Sequence, residues 1–231
     1  MILTYKLYNA DSKEIENFLK KNGLKYNIKV NGKDVKVDFF SNGFLDTQFD
    51  LINKSFITNF SNFIYSEEDI TLEEQLVKIL TIQQKLVSVA ESFTGGGIAK
   101  RITSVSGASK VLYEGIVSYS TESKIERLKV KEETLSKFNA VSGQVAYEMA
   151  CGLLKQKNVD IVIATTGIAG PNSDDSNYPV GLCYVAVGSE KRVTAHKFNF
   201  KGSRQEIVEQ GIENALFLAI KLLRNPLFNI V

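Results

Sequence analysis

Side chains that could act as nucleophiles and bases are concentrated between Glu91 and Lys124. This stretch, ESFTGGGIAKRITSVSGASKVLYEGIVSYSTESK, holds hydroxyl side chains, three consecutive glycines, tyrosines and a terminal lysine. The chain has one histidine, and neither a metal-ligand cluster nor a usable catalytic histidine accompanies the stretch. Catalysis here would therefore need a serine nucleophile and a lysine base, which limits the possible chemistry.

Ser109, Tyr119 and Lys124 are the candidates for that chemistry. His196 alternates with two phenylalanines, which is typical of a packed strand residue rather than of a catalytic base. A lysine acts as a base only when its pKa falls by roughly 3 units, which costs on the order of 4 kcal/mol. Burial or a neighbouring cation can lower the pKa that far. The alternative is that all three are ordinary surface residues.

A glycine-rich turn, Ser92–Gly97, follows a predicted strand and opens a predicted helix. Glycines allow backbone N–H groups to approach an anion, and the amino end of a helix favours negative charge. Ser92 and Thr94 would add hydroxyl donors, and Gly95 and Gly96 are further candidates for contact with a substrate. No Gly-Lys-Ser/Thr follows, so this is not a Walker loop. The alternative is a tight turn that binds nothing.

A second loop, Thr165–Pro171, lies just past the carboxyl end of a predicted strand, where open α/β sheets bind their ligands. It supplies Thr166 and Gly167 as candidate substrate contacts, and the polar segment after it could form a rim or lid. Ser203 and Glu206 are predicted to cap the last helix. Arg204 begins this helix and could bind phosphate or carboxylate. The alternatives are a surface turn for the loop and a solvated helix face for Arg204.

The composition is that of an ordinary soluble protein, with 44% hydrophobic and 23% charged residues. The net charge of +2 provides no strong attraction to nucleic acid or membranes. Apolar runs are shorter than a membrane span and the N-terminus lacks a secretory signal, which predicts a cytoplasmic protein. Cys151 and Cys183 are predicted to be buried free thiols.

Two domains are predicted, and the elements that position the candidate residues belong to the second. Residues 1–66 show a β-α-β-β-α-β order, the split βαβ pattern of a small α+β domain, with Asn31-Gly32 as the hairpin turn. Residues 71–231 alternate between strands and helices, which predicts a three-layer α/β/α domain with a mixed sheet. The strands of this sheet are predicted at Leu86–Ala90, Val111–Tyr119, Asp160–Thr165, Leu182–Val187 and Arg192–Phe200.

Several linked motifs resemble the C-terminal domain of the CinA family. They are AESFTGGGIAKRITSVSGAS, GIVSYSTESKIERLKV, AVSGQVAYEMA, ATTGIAGP, PVGLCYVAV and KGSR, in that order. The family's domain is associated with nicotinamide-mononucleotide amidase activity. The first 65 residues look like the KH-like domain that precedes it in longer CinA proteins. Their molybdopterin-binding-like domain has no counterpart here, so its pyrophosphatase activity is not carried over.

The resemblance implies that Ser109 is the nucleophile, Lys124 its base and Tyr119 a hydroxyl partner. It also implies polar residues that line the site and a phosphate contact, namely Ser92, Thr94, Thr166 and Arg204. The implied reaction converts nicotinamide mononucleotide to nicotinate mononucleotide and ammonia through an acyl-enzyme, with no metal or cofactor. This chain departs from the family at Phe93, where cysteine is common, and in the acidic pair Asp174-Asp175, which bears on substrate fit.

One geometric difficulty follows from these assignments. A regular strand over residues 112–119 would span roughly 26 Å, so Ser109 and Lys124 would lie at its opposite ends. Either Gly115 bends the strand, or a second subunit completes the site in a homodimer or higher oligomer.

Two other functions are compatible with the sequence. The KH-like part could bind nucleic acid, but Gly23, Gly32 and Gly43 form no Gly-x-x-Gly loop and the excess positive charge is small, so nucleic acid is not an expected partner. Alternatively, the protein could be an inactive scaffold that keeps the fold.

Overall fold

The computed structural model divides the chain into two compact units, Met1–Thr71 and a second that begins at Leu72. The acidic pair Asp174-Asp175, which was expected to bear on substrate fit, lies outside the described residues. So do Lys157, the expected end of a helix that starts at Ser142, and Pro226, expected just beyond the last helix. The described residues are 1–41, 43–156, 158–173 and 178–225.

The first unit is a four-stranded antiparallel sheet with two helices, and its strand order is β2-β3-β1-β4. The predicted β-α-β-β-α-β order is confirmed, because alternating apolar residues of β1 and β3 pack against the helices in an aromatic-rich core. Gly32 makes the hairpin turn with φ +59°. The elements are β1 Ile2–Tyr8, α1 Ser12–Lys21, β2 Lys25–Asn31, β3 Asp34–Phe40, α2 Asp46–Phe60 and β4 Ile64–Ser66.

Charged side chains on β1 and β3 of this unit are paired with one another. Lys6 Nζ lies 2.5 Å from a carboxylate oxygen of Asp34. Lys36 Nζ lies 2.6 Å from Asp69 and 3.5 Å from Asp38. These lysines are therefore already neutralised by carboxylates of the same unit.

The second unit is built on a five-stranded sheet with strand order β6-β5-β7-β8-β9. Strands β6, β5 and β7 are parallel, whereas β8 and β9 are antiparallel to their neighbours, so the predicted mixed sheet is confirmed. The strands are β5 Val87–Glu91, β6 Leu112–Val117, β7 Ile161–Gly167, β8 Leu182–Ser189 and β9 Arg192–Asn199. The helices are α3 Leu72–Ile82, α4 Gly97–Thr103, α5 Thr121–Leu128, α6 Glu132–Phe138, α7 Gly143–Leu154 and α8 Arg204–Arg224.

Helices cover both faces of this sheet, which gives the predicted three layers. Helices α3, α4 and α8 contact one another on one face, while α5 and α6 pack around α7 on the other. Helix α8 starts with the predicted capping box of Ser203 and Glu206. Among the described residues, no helix has both the length and the apolar character needed to cross a membrane.

The parallel strands determine where the candidate residues meet. The carboxyl ends of β5, β6 and β7 lie at the same edge of the sheet, because parallel strands run in one direction. The segments that follow them therefore converge: the glycine-rich turn after β5, the Tyr119–Lys124 segment after β6 and the Thr166 loop at the end of β7. Residues that precede these strands lie at the opposite edge.

Strand β6 does not bend at Gly115. A bend there was one of the two ways in which Ser109 could have come close to Lys124. Gly115 pairs regularly with Val89, and the irregularity in the ladder lies opposite the Val87–Ser88 step. A methyl group at position 115 would lie 3.0 Å from Cβ of Ala99 in α4. Glycine is therefore needed at this position to let α4 pack closely on the sheet.

Candidate active site

Ser92 lies in a rigid turn directly after β5. Its residue is buried, and its N–H donates to the carbonyl of Thr165 at 3.1 Å. Two residues later, the hydroxyl of Thr94 lies 2.8 Å from the hydroxyl of Thr165. The Phe93 side chain packs in an apolar cluster between these two anchors. The turn is thus attached to β7 on both sides of Phe93.

The amino end of α4 already holds an anion, which belongs to the protein itself. The carboxylate of Glu91 accepts hydrogen bonds from the N–H groups of Gly96 at 3.0 Å, Ile98 at 3.0 Å and Ala99 at 2.9 Å. Glu91 is only 1% exposed, so these bonds are shielded from water. The prediction that the amino end of this helix binds a substrate anion is corrected, because the N–H groups of Gly96, Ile98 and Ala99 already donate to Glu91.

The three glycines have conformational and steric roles. Gly95 and Gly96 have φ values of +59° and +93°, a backbone region that residues other than glycine rarely adopt. Gly97 allows α4 to approach α8, since a methyl group there would overlap the side chain of Ile212. Gly95 and Gly96 were predicted to contact substrate, but neither lines the cavity described below. Thr94, a third predicted contact, does not line it either.

Lys124 is buried and contacts Ser92. Helix α5 starts with Ser120 as its N-cap, whose hydroxyl accepts from the Ser123 N–H at 3.1 Å. This places Lys124 on the helix face toward the sheet, where only 2% of the residue is exposed. Its Nζ donates to Ser92 Oγ at 3.0 Å and to the carbonyl of Ser118 at 2.9 Å. A third, longer bond runs to the neighbouring carbonyl of Tyr119 at 3.2 Å.

Burial lowers the pKa of Lys124 from 10.5 to about 8, and the nearby Glu122 carboxylate opposes this only weakly. A neutral amine has two N–H donors and one lone pair. The carbonyls of Ser118 and Tyr119 can accept the two N–H bonds, which leaves the lone pair for the Ser92 hydroxyl proton. The geometry therefore suits a serine nucleophile with a neutral lysine base.

The structure does not bring Ser109 to Lys124, so the predicted pairing is corrected. Ser109 lies in an exposed 3₁₀ turn, Ala108–Lys110, before β6, whereas Lys124 follows β6. The six residues of β6 span about 20 Å at about 3.3 Å per residue. Ser92 instead follows the neighbouring parallel strand and lies at the same edge as Lys124. Because this pairing forms within one chain, it needs no second subunit, and the homodimer stays a prediction.

A cavity of about 300 Å³ opens beside Ser92 and Lys124. Of the other residues predicted for the site, it brings together Tyr119, Thr166, Gly167 and Arg204. Among the described residues that line the cavity, the charged side chains are those of Lys124 and Arg204. Residues that line it but were not predicted are Phe93, Thr121, Ala140, Val141, Ile168, Ala169, Gly170, Asn172 and Ser173.

Arg204 links two loops at this cavity. One guanidinium nitrogen donates to the carbonyl of Gly170 at 2.7 Å, and the other donates to the Tyr119 hydroxyl at 3.1 Å. Among the described residues, Arg204 has no ion pair with a carboxylate. Its positive charge is therefore available to an anionic ligand.

Thr166 and Gly167, at the end of β7, form another part of the cavity wall. Thr166 donates its hydroxyl to the carbonyl of Ala140 at 2.7 Å. A methyl group at Gly167 would lie 2.5 Å from Sγ of Cys183, so the wall has no room for a side chain at position 167. Cys183 is fully buried, and burial raises the pKa of its thiol to about 12, which keeps it unreactive.

Other titratable groups and cavities are separate from this chemistry. His196 lies in β9, where its ring nitrogen is 3.0 Å from the Thr194 hydroxyl, and burial lowers its pKa. A larger cavity of about 590 Å³ lies at the amino ends of β5 and β7. Its lining includes Ser189 and Lys191, but the hydrogen bond between a serine hydroxyl and a lysine amine in the described residues is the one between Ser92 and Lys124. Within the described ranges, no group of three or more His, Cys, Asp or Glu side chains could hold a metal ion.

Comparison with known proteins agrees with the fold of the second unit. Residues 69–223 match the family model described as the CinA C-terminal domain. A CinA-like protein of Flavobacterium psychrophilum is 45% identical over 160 residues, which cover 69% of this chain and 38% of the relative. A CinA-like protein of Fusobacterium nucleatum is 42% identical over 174 residues, 74% of this chain and 42% of that protein.

Solved structures give the same result. The competence/damage inducible protein CihA from Agrobacterium tumefaciens superposes with a TM-score of 0.63 at 37% identity, covering 65% of this chain and 93% of that one. A CinA superfamily protein from Klebsiella pneumoniae gives a TM-score of 0.64 at 28% identity, covering 66% and 96%. The chain belongs to the CinA family through its C-terminal domain. It spans about two fifths of the length of the curated relatives it matches.

Proposed function

We propose that the protein is a nicotinamide-nucleotide amidase that uses Ser92 and Lys124. The reaction would hydrolyse the carboxamide of nicotinamide mononucleotide to nicotinate mononucleotide and ammonia. The observation that supports it best is the 3.0 Å contact between Ser92 Oγ and the buried Lys124 Nζ. Amide hydrolysis by this pair needs no metal, because the serine supplies the nucleophile and the lysine transfers the protons.

Acylation begins with neutral Lys124. Its lone pair accepts the hydroxyl proton as Ser92 Oγ attacks the carboxamide carbon, and the carbonyl oxygen becomes an oxyanion. The N–H of Phe93, next to the nucleophile, has no acceptor among the described residues and can donate to this oxyanion. Protonated Lys124 then gives its proton to the amide nitrogen, the C–N bond breaks, and ammonia leaves, so that Ser92 carries the acyl ester of nicotinate mononucleotide.

Deacylation reverses the roles of the same two groups. A water molecule loses a proton to the neutral Lys124 amine and attacks the ester carbon. The ester bond breaks, Ser92 Oγ takes the proton back from Lys124, and nicotinate mononucleotide leaves. Each half of the reaction returns Lys124 to its neutral form, so the carbonyls of Ser118 and Tyr119 can hold the amine throughout.

The charges of the cavity suit a substrate with a phosphate group. Arg204 has no carboxylate partner in the described part of the chain and presents a guanidinium that can bind phosphate oxygens in a bidentate manner. The described lining residues include no carboxylate that would repel the phosphate. The glycine-rich turn does not compete for it, since Glu91 occupies its donors.

Ammonia release from nicotinamide mononucleotide tests the proposal. We expect Ser92→Ala and Lys124→Ala to abolish release, whereas Ser109→Ala, an exposed serine outside the cavity, retains the parent rate. The intact mass of protein mixed rapidly with substrate should show the acyl group of nicotinate mononucleotide, with its ribose phosphate, on Ser92. Activity that survives Ser92→Ala, or that is lost in Ser109→Ala, would show that the nucleophile is assigned wrongly.

Absence of amidase activity in the parent protein would instead favour the inactive scaffold. Binding of nucleic acid by the first unit is the less favoured alternative, since Lys6 and Lys36 there already pair with carboxylates. A gel shift at physiological salt concentration tests that function directly.

A further inference from the structure

The side chain of Phe93 lies between the proposed nucleophile and helix α8. Phe93 follows Ser92 directly, is 4% exposed and packs with Ala169, Phe200 and Ile207. The ring is therefore fixed by apolar contacts on several elements of the second unit. Any force that moves this ring acts on the backbone of the adjacent residue, Ser92.

Gly211 in α8 provides the space that the ring occupies. A methyl group built at position 211 would lie 2.6 Å from Cε2 of Phe93, a separation that carbon atoms do not reach without displacement. The same methyl group would lie 3.5 Å from Cγ2 of Thr94, which is ordinary contact. Glycine destabilises the interior of a helix relative to alanine. Its presence in the middle of the 21-residue α8 therefore indicates that clearance for Phe93 is needed.

Helix α8 also contacts the other side of the cavity. Arg204 precedes Gly211 by seven residues, so both lie on the same face of α8. Arg204 binds Gly170 and Tyr119, while Gly211 receives Phe93. One helix face thus contacts the turn that holds Ser92 and the two loops at the cavity mouth.

We propose that Phe93 and Gly211 form a steric pair that positions the Ser92 hydroxyl for proton transfer to Lys124. Phe93 is a positioning residue here, because it acts through the backbone of Ser92. This inference rests on the proposed amidase mechanism. Hydrogen bonds to Thr165 fix the turn on one side, and the ring packed at Gly211 fixes it on the other. Both anchors are needed to hold Ser92 Oγ at 3.0 Å from Lys124 Nζ.

Gly211→Ala is the variant that tests the pair. The added methyl should push the ring and the Ser92 turn away from α8, and a displacement of about 1 Å lowers kcat roughly 100-fold. KM should stay within about twofold, because Arg204 and the cavity-lining residues other than Phe93 are unchanged. Phe93→Leu removes the ring atoms that would meet the methyl, so the double variant Phe93→Leu/Gly211→Ala should recover most of the lost activity. Gln205→Ala, on an exposed part of α8, serves as the control and should match the parent.

A pH profile separates positioning from general loosening. If Gly211→Ala only moves Ser92, the plateau rate falls while the midpoint stays near that of the parent. If the substitution loosens the fold, water reaches Lys124 and the midpoint moves upward. Full activity in Gly211→Ala, a shifted midpoint, or a loss that Phe93→Leu does not reverse would overturn the inference.

Labelling with a fluorophosphonate, a serine-directed reagent, distinguishes failure of the inference from failure of the proposed function. Labelling of Ser92 reports its reactivity independently of the natural substrate. A parent protein that labels at Ser92 but does not release ammonia would contradict the amidase proposal. In that case the steric pair would still be supported if Gly211→Ala labels more slowly than the parent and Phe93→Leu/Gly211→Ala labels at the parent rate. A parent that neither labels nor hydrolyses would overturn both.

Discussion

Lys124 should control the pH dependence of amide hydrolysis. Burial lowers its pKa from 10.5 to about 8. At pH 7, about 10% of the amine is then neutral, compared with about 0.03% at the ordinary value, a gain of roughly 300-fold in active base. We expect kcat/KM to fall about tenfold between its plateau above pH 9 and pH 7. The direction follows from the mechanism, since a protonated amine cannot accept the Ser92 proton.

The assay is ammonia release at low substrate concentration between pH 6.5 and 9.5. Nicotinamide riboside, which lacks the phosphate, should give the same midpoint and so exclude titration of the substrate phosphate near pH 6. Lys100→Met, at an exposed lysine of α4, should leave the rate and the midpoint unchanged. A rate independent of pH across this range, or an active Lys124→Arg variant, would refute lysine as the base.

Three further predictions concern binding and stability. Arg204→Gln should raise KM for nicotinamide mononucleotide about 10- to 100-fold, because the charged hydrogen bonds from the guanidinium to the phosphate are lost. In parallel assays KM for the riboside, which lacks the phosphate, should stay constant. Glu91→Gln should lower the free energy of unfolding by about 1–3 kcal/mol, since three N–H groups at the start of α4 donate to its buried carboxylate. An unchanged urea midpoint would contradict this. Lys124→Met should abolish activity yet stabilise the fold by about 1–2 kcal/mol at pH 7. The depressed pKa means that burial disfavours the protonated amine by about 3 kcal/mol, a cost that methionine removes. The lost hydrogen bonds of the amine offset part of this gain. That stabilisation should shrink as the pH rises from 8 to 10.5, where the folded protein binds fewer protons than the unfolded chain.

The fold could be predicted because its signals are local. Alternating apolar residues, the Asn31-Gly32 turn and the Ser203–Glu206 capping box depend on neighbours in sequence, and the structure confirms each of them. Helices α5 and α6 were not predicted, since each contains only two apolar residues, too few to establish a period from the sequence. They form because α5 and α6 pack around α7.

The candidate site was predicted less well, because its contacts are long-range. Ser109 and Lys124 flank β6, and the length of a regular strand already indicated that they would lie far apart. That length did not reveal which other serine contacts Lys124. The parallel order of β5 and β6 was the signal that could have identified Ser92, since it places the segments after both strands at one edge. The role of Glu91 as the acceptor at the amino end of α4 could not be predicted from its sequence neighbours. An acidic residue before a glycine-rich turn does not show that its carboxylate accepts hydrogen bonds from the helix that follows.

The two carbonyls that hold Lys124 have a consequence for how its reactivity can be tuned. A pKa shift that is caused by neighbouring charges becomes smaller as salt is added, because salt screens those charges. The pKa of Lys124 is lowered mainly by burial of its amine, which salt does not change. The midpoint of the pH profile should therefore be nearly independent of ionic strength. Because backbone carbonyls cannot be removed by substitution, relatives with a different optimum pH would have to change the apolar packing around the amine instead.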